Sequence, residues 1–457
     1  MATLSEFLIE KIEKRNVNYV FGVNGQYIND FFKQLKGTKL TPVFNSDESH
    51  SGFAANAYAR LMGFAPVCVN YQAGAYKLVN SIACALVERT PLLVISGVPV
   101  NRDKKQFEVF KNLTYSAYSL DDPSNAGLQI DRAFEELLYH KQPVYLEVPN
   151  HMFNENIDYD VYRVGTYQTP KSNQSNLEEA VREIVNIINN ARNPVFVFGV
   201  EVARYELGHA LLRIAEEFNI PFCTEAASKS VVSEDHPLFA GLHEHNQEFV
   251  KLSDCVIMLG VVDSESAHIS CKIDETRVGK HYYKNIQFHD LCKGLTRVNF
   301  KKFEHIDFAK PNNVFDPKEV KVSQERLIQK ISSILTKDMA LIADSNTVNI
   351  ATSVFIKHQN QFIAPAFYVS SGFAIPGSLG VYLAKQLRPV IITTLDSCKN
   401  SLSELNGCKF APIIFVLKDK SESSLKEGVF VHNEIELDAA VAKAVVSKEA
   451  FIIVLDK

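Results

Sequence analysis

The chain reads as an α/β protein of three successive α/β domains, each a parallel sheet covered by helices. Strand-like and helix-like runs alternate from residue 4 to residue 148, where IDRAFEELLYHKQPVYLEVP closes the first domain with a helix and a buried strand. The alternation starts again at LEEAVREIVNIINNARNPVFVFGVEV and a third time at SQERLIQKISSILTKDMALIADSN. Between these runs the sequence turns polar, first around Pro170, Lys171, Ser172, Asn173 and Ser175, then in a stretch with Pro, Asn and mixed charge before Val322. The expected domains are 1–170, 171–306 and 323–457, with a linker over 307–322.

At 457 residues, 46% hydrophobic and 22% charged, the chain is long enough for substantial cores and is neither disordered nor fibrous. Its formal net charge of -5 comes with scattered lysines, which argues against a nucleic-acid partner and against a polybasic membrane patch. MATLSEFLIEKIEKR is an amphipathic helix rather than a signal peptide, and no apolar run is long enough to span a bilayer, so a cytoplasmic protein is expected. The eight cysteines show no CxxC or zinc spacing and read as reduced core residues. His243 and His245 have no third ligand nearby, and the HxH reads as a solvated turn.

One stretch organises the rest: FNSDESHSGFAANAYAR, residues 44–60. Val43 and Phe44 end a strand, and Gly52, Ala54, Ala55, Ala57 and Ala59 make a slim helix able to pack closely on a sheet or a second subunit. Glu48 sits at the junction, where a carboxylate can simply favour the helix N-terminus. Around it, YVFGVNGQYINDFFKQL (19–35) and VCVNYQAGAYKLVNSIACALVERTPLLVISGVP (67–99) repeat a strand, a small-residue turn and a helix.

In order, spacing and wording these runs resemble the pyrimidine-binding domain of thiamine-diphosphate enzymes, the pyruvate and indolepyruvate decarboxylase branch in particular. The second unit resembles that family's central domain. YVSSGFAIPGSLGVYLAKQLRPVIITTLDSCKNSLSELNGCKFAPIIFVLKDKSE resembles its diphosphate-binding domain. The resemblance implies a lyase acting on a 2-oxo acid with thiamine diphosphate and Mg2+. It also implies a homodimer or homotetramer, because the two halves of each family site come from different subunits; Gly52, Ala55 and Ala59 would let two such helices approach. Glu48 matches the acid that hydrogen-bonds the pyrimidine nitrogen, and packing against Phe53 and Ala54 is expected to favour its protonated form. Gln26 takes the second catalytic position. Glu48, Gln72, Val369, Ser371, Asp396 and Ser397 fall at cofactor-binding positions. Asp396, Asp419 and the Ser421 carbonyl fall at the metal.

The chain departs from that pattern at several points. The family's Gly-Asp-Gly turn reads Leu395-Asp396-Ser397, and its Asn position reads Lys418-Asp419-Lys420, with Lys399, Lys418 and Lys420 close by. Gln26 stands where the decarboxylases carry an Asp, and an amide cannot shuttle a proton. Their adjacent His pair is absent from the shortened loop SGVPVNRDKKQFEVF, Ser371 replaces a bulky apolar residue, and the helix with a later catalytic Glu is missing, with neither Glu422 nor Glu427 in its role. Two functions follow: a lyase with a degenerate site whose substrate is handled by Gln26, His50 and Gln72, or a non-catalytic homologue acting as a structural or regulatory oligomer partner. A nicotinamide dehydrogenase would need GxGxxG after the first strand, and FGVNGQ does not supply it.

Overall fold

The structure, a computed structural model, describes residues 2–157, 170–273, 275–406, 408–419 and 428–456. It contains three main sheets in succession. The first has six parallel strands, β1 (Tyr19–Gly22), β2 (Thr41–Phe44), β3 (Ala65–Asn70), β4 (Leu92–Val98), β5 (Ser116–Ser119) and β6 (Val144–Pro149), in the order β2-β1-β3-β4-β6-β5. Every residue of β4 and β6 is buried, which is why these strands read as continuous apolar runs.

The second sheet joins β7 (Pro194–Phe198), β8 (Phe222–Thr224), β9 (Phe239–Leu242), β10 (Cys255–Leu259), β11 (Ile269–Cys271), β12 (Thr276–Val278) and β13 (His281–Tyr283) in the order β9-β8-β7-β10-β11-β12-β13. Here the expectation of a parallel sheet needs one correction. The β11–β12 and β12–β13 pairs are antiparallel, because the connections between them are too short for a crossover. The third sheet is parallel throughout: β14 (Met339–Ala343), β15 (Phe362–Ile363), β16 (Arg388–Thr394), β17 (Ile413–Lys418), β18 (Val429–Val431) and β19 (Phe451–Asp456), in the order β15-β14-β16-β17-β19-β18. Residues 301–318 carry neither helix nor strand.

Among the helices, α1 (Leu4–Glu13), α2 (Glu48–Met62), α3 (Ala73–Lys77), α4 (Val79–Val87), α5 (Lys105–Lys111) and α6 (Ala374–Lys385) position the site. α2 starts at Asp47, whose extended backbone lets its carboxylate accept the Ser49 N–H. Its small residues lie against other parts of the same chain. A Cβ on Gly380 of α6 would stand 2.0 Å from the Ala54 carbonyl oxygen, so α2 and α6 cross backbone against backbone. Gly52 lies against the side chains of Ser81 and Leu78 of the same chain.

Buried polar pairs reinforce this junction of the first and third units. Glu88, fully buried, accepts the Phe367 and Tyr368 N–H groups at 2.6 and 2.9 Å. Arg60 donates to the Ala364 carbonyl and lies over the Phe373 ring, which itself meets Phe53 edge-on. The second unit joins through Arg204, which donates to the Glu88 and Arg89 carbonyls. The cysteines are free thiols, seven of them buried. No helix among the described residues is long and apolar enough to cross a membrane.

Candidate functional site

Glu48 begins α2 directly after β2, where strand ends converge at the C-terminal edge of the first sheet. Its side chain is 14% exposed and lies along α3: a Cβ on Gly74 would stand 2.8 Å from Glu48 Oε1, and Lys77 Nζ is 3.4 Å from Oε2. Lys77 also reaches the α2 cap, with Nζ 2.8 Å from Asp47 Oδ2. Asp47 and then Glu48 hold the Lys77 ammonium above its usual range. Burial alone would raise the Asp47 carboxyl, but Lys77 and the Ser49 N–H outweigh it and bring it below its usual range. Phe53, expected with Ala54 to wall Glu48, has its ring edge-on to Phe373.

A buried network sets the position of α3. Gln72, just before it, has φ 50° and ψ -94°, a conformation that costs about 1–3 kcal/mol in a non-glycine residue. Its N–H donates to Gln106 Oε1 at 2.6 Å. Gln106, on α5 and fully buried, donates to Ser96 Oγ and the Tyr145 hydroxyl. The chain continues through Glu147 to Arg102, which also holds Asp121. The shortened loop thus uses a buried amide to hold a strained peptide in place. Gln72 itself is exposed, as is Gln26 in the turn where the Tyr27 N–H donates to Asn70 Oδ1.

His50 is drawn away from these residues. Its Nδ1 lies 2.9 Å from Glu404 Oε1, in the third unit. Glu404 also accepts from the Asn45 amide, the Ser46 N–H and the Ser46 hydroxyl. Burial would raise this carboxyl; instead His50, Ser46 and Asn45 together pull it down to about 2.

The other expected residues cluster at the C-terminal edge of the third sheet. Ser397 follows β16 and accepts, with Thr394, from the Asn346 amide at 2.8 and 2.7 Å. Beside them Asp344, fully buried, accepts the Phe373 and Ala374 N–H groups and is raised by burial. Ser371 is exposed and Val369 is 89% exposed. Asp396 faces outward, 2.6 Å from Lys399 Nζ, and Asp419 is exposed after β17. Ser421, like Lys420, Glu422 and Glu427, lies outside the described residues.

The structure brings Thr394, Ser397 and Asp396 onto one edge and Glu48, Gln72 and Gln26 onto another. Glu48 makes no hydrogen bond or ion pair with Val369, Ser371, Asp396 or Ser397 of its own chain. Sequence reasoning missed Lys77, Gln106 and Asn346. Lys77 had no sequence signal, being 29 positions from Glu48 in a helix read only for its small residues. The donor set suits thiamine diphosphate: a carboxylate at one edge, hydroxyl and amide groups with a lysine at the other. The fit to a divalent metal is poorer, since Asp396 is already paired with Lys399 and no described group of three His, Cys, Asp or Glu is arranged to hold one.

Comparison with known proteins gives a consistent picture. Residues 2–118 match the sequence profile of the thiamine pyrophosphate enzyme N-terminal TPP binding domain, and residues 181–293 that of the thiamine pyrophosphate enzyme central domain. The chain is 25% identical to an indole-3-pyruvate decarboxylase of Azospirillum brasilense, over 98% of this chain and 94% of that protein. It is 23% identical to pyruvate decarboxylase isozyme 2 of Saccharomyces cerevisiae, over 91% and 83%. Its fold superposes, with a TM-score of 0.77 and 17% identity, on a crystal structure described as a candidate thiamin diphosphate-dependent enzyme from Mycobacterium smegmatis, covering 100% of this chain and 99% of that one. The chain belongs to the thiamine pyrophosphate enzyme family, on its 2-oxo acid decarboxylase-like side.

Proposed function

We propose that the protein is a thiamine-diphosphate-dependent 2-oxo acid decarboxylase-type lyase with a reduced site. The observation that carries this reading is Glu48, an acid at the strand-to-helix junction, held against the bare backbone of Gly74 inside the segment that matches the TPP-binding profile. Thiamine diphosphate, when bound, supplies a thiazolium carbon that adds to the 2-oxo carbonyl and takes up the electrons released with carbon dioxide. Glu48 would hydrogen-bond the pyrimidine nitrogen there. Gln26 and Gln72, both exposed beside it, orient the 2-oxo acid through their amides. Val369, Ser371 and Ser397 receive the ring and diphosphate end. Asp396 and Asp419, with the Ser421 carbonyl as a third oxygen, would be the residues to hold Mg2+, which would offset the diphosphate charge, although Asp396 is already paired with Lys399. A complete site then takes two copies of the chain, as a cytoplasmic homodimer or homotetramer, because Glu48 has no hydrogen-bond or ion-pair partner among the described third-sheet residues of its own chain.

Calorimetry with thiamine diphosphate and Mg2+, and carbon dioxide release from pyruvate, phenylpyruvate and indolepyruvate, test the reading. Glu48→Gln is expected to keep binding and to lose at least about 100-fold in release. A second reading, the non-catalytic homologue, is favoured by one feature: Glu48 and Asp396 are each engaged by a lysine, Lys77 and Lys399. A parent protein inert toward all three acids would establish that reading and overturn the first.

A further inference from the structure

The lysine beside Glu48 has a role that follows from where the network puts it. Gln106 fixes the strained Gln72 peptide, Gln72 fixes the start of α3, and one turn later α3 presents Lys77 to two acids of α2. Asp47 is the α2 cap and is held by the Ser49 N–H, so it anchors the ammonium at a fixed point. Glu48 Oε2 is then drawn toward Lys77 while Oε1 lies on Gly74, a position open only because that residue has no Cβ. Glu48 is thereby held along α3, with Oε2 on the Lys77 ammonium.

We propose that Lys77 is a positioning residue that holds Glu48 on α3, and that a ring nitrogen can engage Glu48 only as this ion pair parts. The inference rests on the function proposed above and adds a residue to it: Lys77 sets how tightly the site accepts thiamine diphosphate. An ion pair of this exposure restrains its partner modestly, by up to about fivefold in an equilibrium. Replacing the ammonium by an apolar chain frees Glu48 for the cofactor, whereas replacing it by a guanidinium does not.

Two measurements on the full chain test this. The first is acetylation of Lys77 by acetic anhydride, read by mass spectrometry, which needs no cofactor. Lys77 should label at least about twofold faster in Glu48→Gln than in the parent, since one of its two carboxylate partners is gone. In the parent it should also label faster once thiamine diphosphate is added. The second is calorimetric binding of thiamine diphosphate, with Lys77→Met about three- to fivefold tighter than the parent and Lys77→Arg equal to it. Unchanged Lys77 labelling in Glu48→Gln overturns the inference whatever the cofactor does. So does Lys77→Met binding no tighter than the parent, or Lys77→Arg binding as tightly as Lys77→Met. Faster labelling in Glu48→Gln with no cofactor binding by any form supports the hold on Glu48 and overturns the lyase reading instead.

Discussion

Glu404 gives the sharpest test of how the third unit is pinned to the segment that carries Glu48. Its side chain is 7% exposed and its carboxylate collects bonds from Asn45, Ser46 and His50. These lower it from an ordinary 4.5 to about 2 in the folded protein. A carboxyl lowered on folding adds stability that is fully present above its unfolded pKa and is lost as pH falls toward the folded one. The contribution is about 3 kcal/mol at neutral pH, and about 2 kcal/mol of it is gone by pH 3. Glu404→Gln keeps the size of the side chain and removes the titration. Urea unfolding of both proteins from pH 7 to pH 3 reads the effect, because all other carboxylates are common to both and cancel in the difference. The variant should be less stable at pH 7 by up to about 3 kcal/mol, and the gap should narrow by about 2 kcal/mol on reaching pH 3. A gap that stays constant from pH 7 to pH 3 would refute the reasoning, since the Glu404 charge would then be doing nothing for the junction.

Gln106→Leu removes the acceptor of the Gln72 N–H and leaves the Tyr145 hydroxyl and Ser96 one partner short; it should cost about 2–3 kcal/mol in unfolding and speed amide exchange at Gln72. Gly380→Ala places a methyl group 2.0 Å from the Ala54 carbonyl oxygen, a backbone atom with no rotamer to retreat into, and should lower stability by about 2 kcal/mol or more in thermal unfolding. Asp396→Ala frees Lys399 from its 2.6 Å pair: if Asp396 supplies the metal, Mg2+ should no longer strengthen thiamine diphosphate binding by calorimetry, whereas metal-independent binding should persist or tighten.

Much of this protein is written in local pattern. The inner strands β4 and β17 show as nearly continuous apolar runs because parallel strands covered on both faces have no solvent side to spend polar residues on. The start of α2 is equally legible, with Asp47 able to cap and Glu48 in the first turn. The position of Glu48 thus followed from neighbours within a few residues.

The state of Glu48 did not. Lys77 lies 29 positions away in sequence and Glu404 lies 354 positions from His50, and only the folded chain brings these charges together. The small residues of α2 show the same division. The sequence determines that this helix must meet another backbone closely, because alanine and glycine leave no side chain to fill the gap, but it is silent on which backbone. Gly380 of α6 answers that within the chain. The sequence by itself determined the three α/β units and the place of the acid. Tertiary structure alone decided what the acid faces, since a side chain's electrostatic surroundings come from residues distant in sequence that no periodicity of 2 or 3.6 records.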